Sequence, residues 1–266
     1  MVDYSRLRRT YSGALGVFKG MATSRRRKHA IVRLHRAAKA FILPGDLANL
    51  ALLYGSDKFG GHYYAPHYET HFAHLRKRSL KVLEIGIGGY ENPRAGGASL
   101  RMWKHYFPKA FICGIDIADK TLHNEHRIRT FRGDQTDKAF LVGVLGDVGT
   151  PDIIIDDGSH LNSHVIQTFN ILFPLLSENG IYVVEDTQTA YWREFGGGNR
   201  GEPEASTSMY MLKNLIDGLN YQEYVQPGYQ PTYFDQHIVS MHFYHNLVFI
   251  MKGNNDEGSN CIRSNV

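Results

Sequence analysis

The chain has 266 residues, 42% of them hydrophobic, and a formal net charge of +4, which is ordinary for one sizeable soluble domain with a real core. Its two cysteines, Cys113 and Cys261, exclude a disulfide framework and a cysteine metal site, so a reducing cytoplasm is the expected home. No apolar run approaches the roughly 20 residues of a membrane span, and the N-terminus lacks the apolar region and small-residue cleavage site of a secretory signal.

The charge is unevenly spread. Residues 1–45 hold eleven Lys or Arg against one acid, Asp3, so the rest of the chain is net acidic. Within that segment SRRRKHAIVRLHRAAKAFIL (24–43) reads as a helix with Ile31, Leu34, Ala38, Phe41 and Ile42 near one face and Arg27, Arg33 and Arg36 mostly elsewhere. Packing on the body or on a second subunit is one reading of it. Contact with an anionic membrane surface is another. Nucleic-acid binding is not expected, because no recognised module accompanies the charge. Pro44-Gly45 ends this segment, and Asp46 can cap a helix over 47–53.

From residue 80 strands and helices alternate. LKVLEIGI (80–87) reads as a buried strand, 99–107 as a helix, AFICGIDI (110–117) as a strand and 128–132 as a short third. Residues 138–145 read as helix, DIIIDD (152–157) as the fourth strand, 163–176 as helix and GIYVVED (180–186) as the fifth strand. A glycine-rich loop (196–201) and a helix near 206–219 follow, and IVSMHFYHNLVFIMKG (238–253) reads as an antiparallel hairpin around His245-Asn246. Continuous apolar strands alternating with helices describe an α/β, Rossmann-like fold: a mostly parallel sheet with helices on both faces and a C-terminal antiparallel hairpin. The expected organisation is a basic helical segment (1–45), one domain (46–253) and a polar, disordered tail (254–266).

Ligands of such a sheet bind at the carboxyl ends of the strands, near the reversal of strand order. There the first strand runs Glu84-Ile85-Gly86-Ile87-Gly88-Gly89, whose Gly86 and Gly88 allow a tight turn and close approach to a nucleoside. The dinucleotide fingerprint needs a third glycine at 91, where Glu91 stands, and YENPRAGGAS then separates the turn from its helix. Glu84 fits the E/D-x-G-x-G pattern of S-adenosylmethionine (SAM) enzymes. Asp116 can bond ribose hydroxyls of either nucleoside, and in GDQTD (133–137), after the third strand, an acid and an amide can meet an adenine edge. A nicotinamide-dependent oxidoreductase and a non-catalytic SAM-binding protein are the competing classes.

Asp157 closes the fourth strand and Glu185-Asp186 the fifth, and adjacent strands lie about 4.8 Å apart. Converging carboxylates repel unless arginine, protonation or a divalent cation offsets them, and oxygen ligands select Mg²⁺, Mn²⁺ or Ca²⁺. His160, three residues after Asp157, suits a general base. Asp157 or Ser159 could instead cap the next helix. A zinc site using His164, or an iron hydroxylase site on His160, are minor alternatives.

These motifs resemble the metal-dependent sugar O-methyltransferases of actinomycete natural-product pathways, of the macrolide type. The likeness runs over residues about 50–253 through YGSDK (54–58), LEIGIGGYENPRAGGASLRMWKHYFP (83–108), RGDQTD (132–137), IIDDGSH (154–160), VVEDTQTAYW (184–192) and HFYHNLVFIMKG (242–253). The resemblance implies a class I SAM-dependent fold, SAM and Mg²⁺ as cofactors, and a sugar hydroxyl of a glycoside or glycolipid as acceptor. It implies Asp157, Glu185 and Asp186 as metal ligands and His160 as base. SAM contacts are implied at Glu84, Gly86, Gly88, Ser99, Asp116, Gly133, Asp134, Gln135 and Asp157, with Ser56 and Lys58 closing over the methionine end. Tyr191 and Trp192 are candidates to cover the acceptor, and a homo-oligomer is expected.

Overall fold

The computed structural model describes residues 45–198 and 206–259. The helix expected over 24–43 therefore lies outside the described residues, as do part of the glycine-rich loop and the last seven residues. Among the described residues, no helix is long and apolar enough to cross a membrane.

Two compact units emerge. The first comprises described residues 45–77 with 101–108. Here α1 (Leu47–Tyr54) starts at Asp46, whose carboxylate accepts the Asn49 N–H, and ends at Gly55, left-handed at φ 75°. A second helix, α2 (Ala65–Phe72), was not expected from the sequence; it opens with Pro at its first turn, where the ring's missing N–H costs nothing. Tyr68 and Phe72 from α2 pack on the fully buried Trp103.

The second unit, residues 78–100 and 109 onward, holds a seven-stranded sheet. Its strands are β1 (Lys81–Ile85), β2 (Phe111–Asp116), β3 (Ile128–Arg132), β4 (Ile153–Asp156), β5 (Ile181–Glu185), β6 (Ile238–Tyr244) and β7 (Leu247–Lys252). The order is β3-β2-β1-β4-β5-β7-β6, parallel from β3 to β5 and antiparallel at β7 and β6. This is the sheet and terminal hairpin the alternation implied. Every residue of β4 and β5 is buried, which is why those strands read as unbroken apolar runs.

The helices among the described residues are α3 (Ala98–Tyr106), which runs from this unit into the first, then α4 (Lys138–Val148), α5 (Asn162–Leu172), α6 (Ser208–Gly218) and the short α7 (Tyr233–His237). Asp137 caps α4 by accepting the Ala139 and Phe140 N–H groups, and Thr207 caps α6. Leu141, Val165, Phe169, Leu172 and Leu212 from these helices pack with Leu83, Ile154, Tyr182 and Val248 from one face of the sheet. The expected helix over 163–176 ends at Leu172, and a 3-10 turn with Pro174 completes it. Beyond β7 the chain stays tied down at Asn255, whose amide donates to the carbonyls of Leu219 and Asp235.

Chain order reverses between β1 and β4. A crevice at the carboxyl ends of those two strands is the place such a sheet offers to ligands.

Candidate active site

The glycine turn leaves β1 into this crevice. Gly86 sits at φ 87°, and a Cβ on it would lie 1.9 Å from the Asp157 carbonyl oxygen, so no other residue fits without moving β4's end. Gly88 is also left-handed, at φ 74°. The excursion from Tyr90 to Gly97 is held by Lys120, a residue the sequence reading did not single out. Its buried Nζ donates to the carbonyls of Tyr90 (2.6 Å), Asn92 (3.0 Å) and Ala95 (3.3 Å), as a bound cation would.

Glu84 is fully buried and accepts the Ser99 hydroxyl at 2.8 Å from the first turn of α3. At the end of β2, Asp116 accepts the N–H groups of Ile87 and Ala118, both at 2.9 Å. That ties β2's carboxylate to the glycine turn and leaves lone pairs for further donors. Gly133 packs against the Phe140 ring, which a Cβ would meet at 2.4 Å. Asp134 is exposed and closes a local turn by accepting the Thr136 N–H and hydroxyl, which hold its carboxyl below the usual range.

Gln135 is placed differently from an adenine-reading amide. It is buried, accepts the Ser159 N–H (2.9 Å) and donates to Thr168 (3.0 Å) and Asp156 (3.3 Å), so its amide braces the turn after β4. Ser56 and Lys58 lie in the first unit, both buried.

The two acids of the Asp156-Asp157 pair have separate surroundings. Asp156 ends β4 beneath Gln135 and Tyr182, and burial pushes its carboxyl up to about 7. Asp157 follows the strand and meets His160 and Asp186: the His160 Nε2 lies 4.0 Å from Asp157 Oδ1 and 3.7 Å from Asp186 Oδ2. One ligand atom from each of the three lies within 4.8 Å of the others. These separations exceed hydrogen-bond length but suit donors around a shared small ion. Glu185, the last residue of β5, is 3% exposed and lies outside this group of three. His164 also lies outside it, bonded to the Ser159 hydroxyl at 2.9 Å.

Both His160 (φ 58°) and Asp186 (φ 53°) are left-handed without being glycine. Such backbone costs about 1–3 kcal/mol per residue and persists where surrounding structure holds it. His160 precedes the helix: α5 starts two residues later, and neither Asp157 nor Ser159, the two caps the sequence offered, is its N-cap. Asp186 precedes a 3-10 turn (Thr187–Tyr191), where Thr189 donates its N–H and hydroxyl back to the Asp186 carbonyl. Tyr191 and Trp192 follow, 40% and 45% exposed.

No family model matches the chain. Among individual proteins, it is 48% identical over 215 residues to the mycinamicin VI 2''-O-methyltransferase of Micromonospora griseorubida, covering 80% of this chain and 54% of that protein. It is 48% identical over 224 residues to the 8-demethyl-8-alpha-L-rhamnosyl tetracenomycin-C 2'-O-methyltransferase of Streptomyces olivaceus, covering 84% and 58%. The solved structure of the methyltransferase MycE from the mycinamycin biosynthetic pathway, in complex with Mg and SAH, superposes with a TM-score of 0.79 at 47% identity, covering 82% of this chain and 57% of that one. The chain thus spans about half the length of the curated relatives it matches. Over the region shared with them, the chain belongs to the family of the macrolide-type sugar O-methyltransferases and has their class I methyltransferase fold.

Proposed function

We propose that this chain transfers the methyl group of SAM to a sugar hydroxyl of a glycosylated small molecule, with Mg²⁺ or a similar cation at Asp157, Asp186 and the neighbouring Glu185. The observation that carries this reading is the Asp157–His160–Asp186 group standing against the glycine turn, where the Asp157 carbonyl fills the space a Gly86 side chain would need. The residues fit both groups. Carboxylate oxygens suit a hard divalent cation, and the Gly86 turn with Asp116 suits a ribose-bearing ligand. The relatives' names support a glycoside acceptor, since they act on sugars of a macrolide and of a tetracenomycin.

When bound, the cation would lower the acceptor hydroxyl's pKa and fix its direction, while the sulfonium supplies the methyl group that the oxygen attacks. His160 takes the hydroxyl proton on Nε2 as the oxygen–carbon bond forms and the carbon–sulfur bond breaks. Its Nε2 stands 3.7 Å from Asp186 and 4.0 Å from Asp157, next to the carboxylates that would hold the cation. Gly86, Asp116 and the Lys120-held excursion fix the nucleoside side, and alignment of oxygen, carbon and sulfur supplies most of the remaining rate. Tyr191 and Trp192 offer exposed aromatic faces to a sugar ring.

The test is methyl transfer from isotopically labelled SAM to a panel of deoxysugar-bearing polyketides, with and without EDTA. The reading expects a product one methylene heavier, lost in EDTA and restored by Mg²⁺. Turnover unaffected by EDTA overturns the metal, and calorimetric binding of a nicotinamide dinucleotide in place of SAH overturns the methyl donor.

The charge distribution favours a further reading for residues 1–45, whose eleven basic residues face one acid. It supports contact with an anionic bilayer, with subunit contact as the alternative. Co-sedimentation with anionic vesicles and light scattering, each on the full chain and on a chain without residues 1–45, separate the two. No change in either measurement on truncation removes both.

A further inference from the structure

Asn162 opens α5 two residues after His160 and is 1% exposed. Its side-chain amide donates to the carbonyls of Thr189 (3.3 Å) and Phe195 (2.9 Å) and accepts the N–H (2.7 Å) and hydroxyl (2.8 Å) of Ser208. An amide has two donor hydrogens and two acceptor lone pairs, so this one is fully used inside the protein.

The partners are telling. Thr189 lies in the 3-10 turn after Asp186, and Phe195 ends the next such turn (Arg193–Phe195). Tyr191 and Trp192 lie between the two carbonyls. Thr189 itself donates twice to the Asp186 carbonyl, at 3.1 Å from its N–H and 2.9 Å from its hydroxyl. Ser208 begins α6, so one amide joins the segment after His160, the segment after Asp186 and the start of α6.

We propose that Asn162 is a positioning residue that sets the Asp186–Phe195 segment against His160, and so fixes the metal and acceptor side of the site without touching its nucleoside side. The metal part of this statement rests on the proposed function; the bracing of the segment does not. The physical ground is that Thr189 and Phe195 carbonyls, once deprived of their donors, repel an oxygen placed in the same position and must move to find water. Asn162→Asp makes that substitution at constant volume.

Three measurements test it on the full chain. Acrylamide quenching of tryptophan reports Trp192, because the other tryptophan, Trp103, is fully buried. Mn²⁺ titration by electron paramagnetic resonance reports the metal side, and calorimetry with SAH reports the nucleoside side. Asn162→Asp is expected to raise the quenching constant about twofold and weaken Mn²⁺ about tenfold, as loss of a group supporting a ligand does, while SAH affinity stays within about twofold. Where that variant does not fold, Asn162→Ala carries the same three readings. Unchanged quenching with unchanged Mn²⁺ affinity overturns the inference. So does a loss of SAH affinity equal to that of Mn²⁺, which would mark general destabilisation. A wild-type chain that binds SAH but no Mn²⁺ defeats the metal reading alone, and Trp192 quenching then decides the bracing role by itself.

Discussion

Gly86→Ala is the perturbation whose consequence the geometry states most fully. At φ 87° alanine gives up about 1 kcal/mol relative to glycine. The new Cβ would stand 1.9 Å from the Asp157 carbonyl oxygen and 2.7 Å from its carbon. A tolerable carbon–oxygen contact is about 3.3 Å, so the carbonyl must retreat about 1.4 Å. The Asp157 N–H bond to the Ile85 carbonyl, 3.0 Å long, joins the ends of β1 and β4 and is lost or bent in that retreat. Strain and a lost hydrogen bond together come to about 3 kcal/mol, or a fall in Tm of about 6–12 °C for a chain of this size. Because the displaced residue is Asp157, affinities for SAH and Mn²⁺ fall together, each about tenfold or more. Gly143→Ala is the control: Gly143 lies inside α4 with nothing within 4 Å of its would-be Cβ, so alanine there stabilises by about 0.5–1 kcal/mol. Scanning calorimetry and SAH titration check the pair. A Gly86→Ala protein with unchanged Tm and SAH affinity would refute the close packing of glycine turn and strand end.

Further expectations concern single side chains. His160→Ala is expected to cut turnover about 10²–10⁴-fold while SAH binding persists. His160→Gly, equally inactive, is expected to be about 1 kcal/mol more stable than His160→Ala because φ there is 58°; equal melting of the two would contradict the left-handed backbone. Lys120→Met removes the Nζ donor from the Tyr90, Asn92 and Ala95 carbonyls, of which Asn92 keeps the Ala95 N–H and Ala95 keeps His123, and about 2 kcal/mol of stability is expected to go with it, seen as a lower Tm. Burial pushes the Cys113 thiol up to about 12, so in a Cys261→Ser background no thiol reacts with a disulfide reagent at pH 8 until the protein unfolds. Labelling of the native protein at the rate of an exposed thiol would show that β2 opens.

The sheet was legible because parallel strands buried on both faces are apolar along most of their length, and β4 and β5 are so up to their last residue. The acids that end them stood out against those runs. Less of the rest could be read, for identifiable reasons. Helix α2 has only eight residues of mixed polarity, and α7 has five, announced only by a Thr232–Asp235 capping box. The left-handed His160 and Asp186 carry only a weak local signal, since Asp and His visit that region more than most residues yet usually lie elsewhere. Asn162 and Gln135 look like ordinary polar residues in sequence, and what marks them is four hydrogen bonds each, to three residues distant in the chain. Lys120 is similar: its three carbonyls lie 25–30 residues away.

The central claim is that Asp157 and Asp186 hold a cation beside the glycine turn, with His160 next to them as the base. Counting Mn²⁺ ions per chain by electron paramagnetic resonance, with SAH present, tests it most directly in the wild type and in Asp157→Asn and Asp186→Asn. One ion bound per wild-type chain, and about a hundredfold weaker binding in each variant, is the outcome the geometry requires. Variants that bind Mn²⁺ as the wild type does would contradict it.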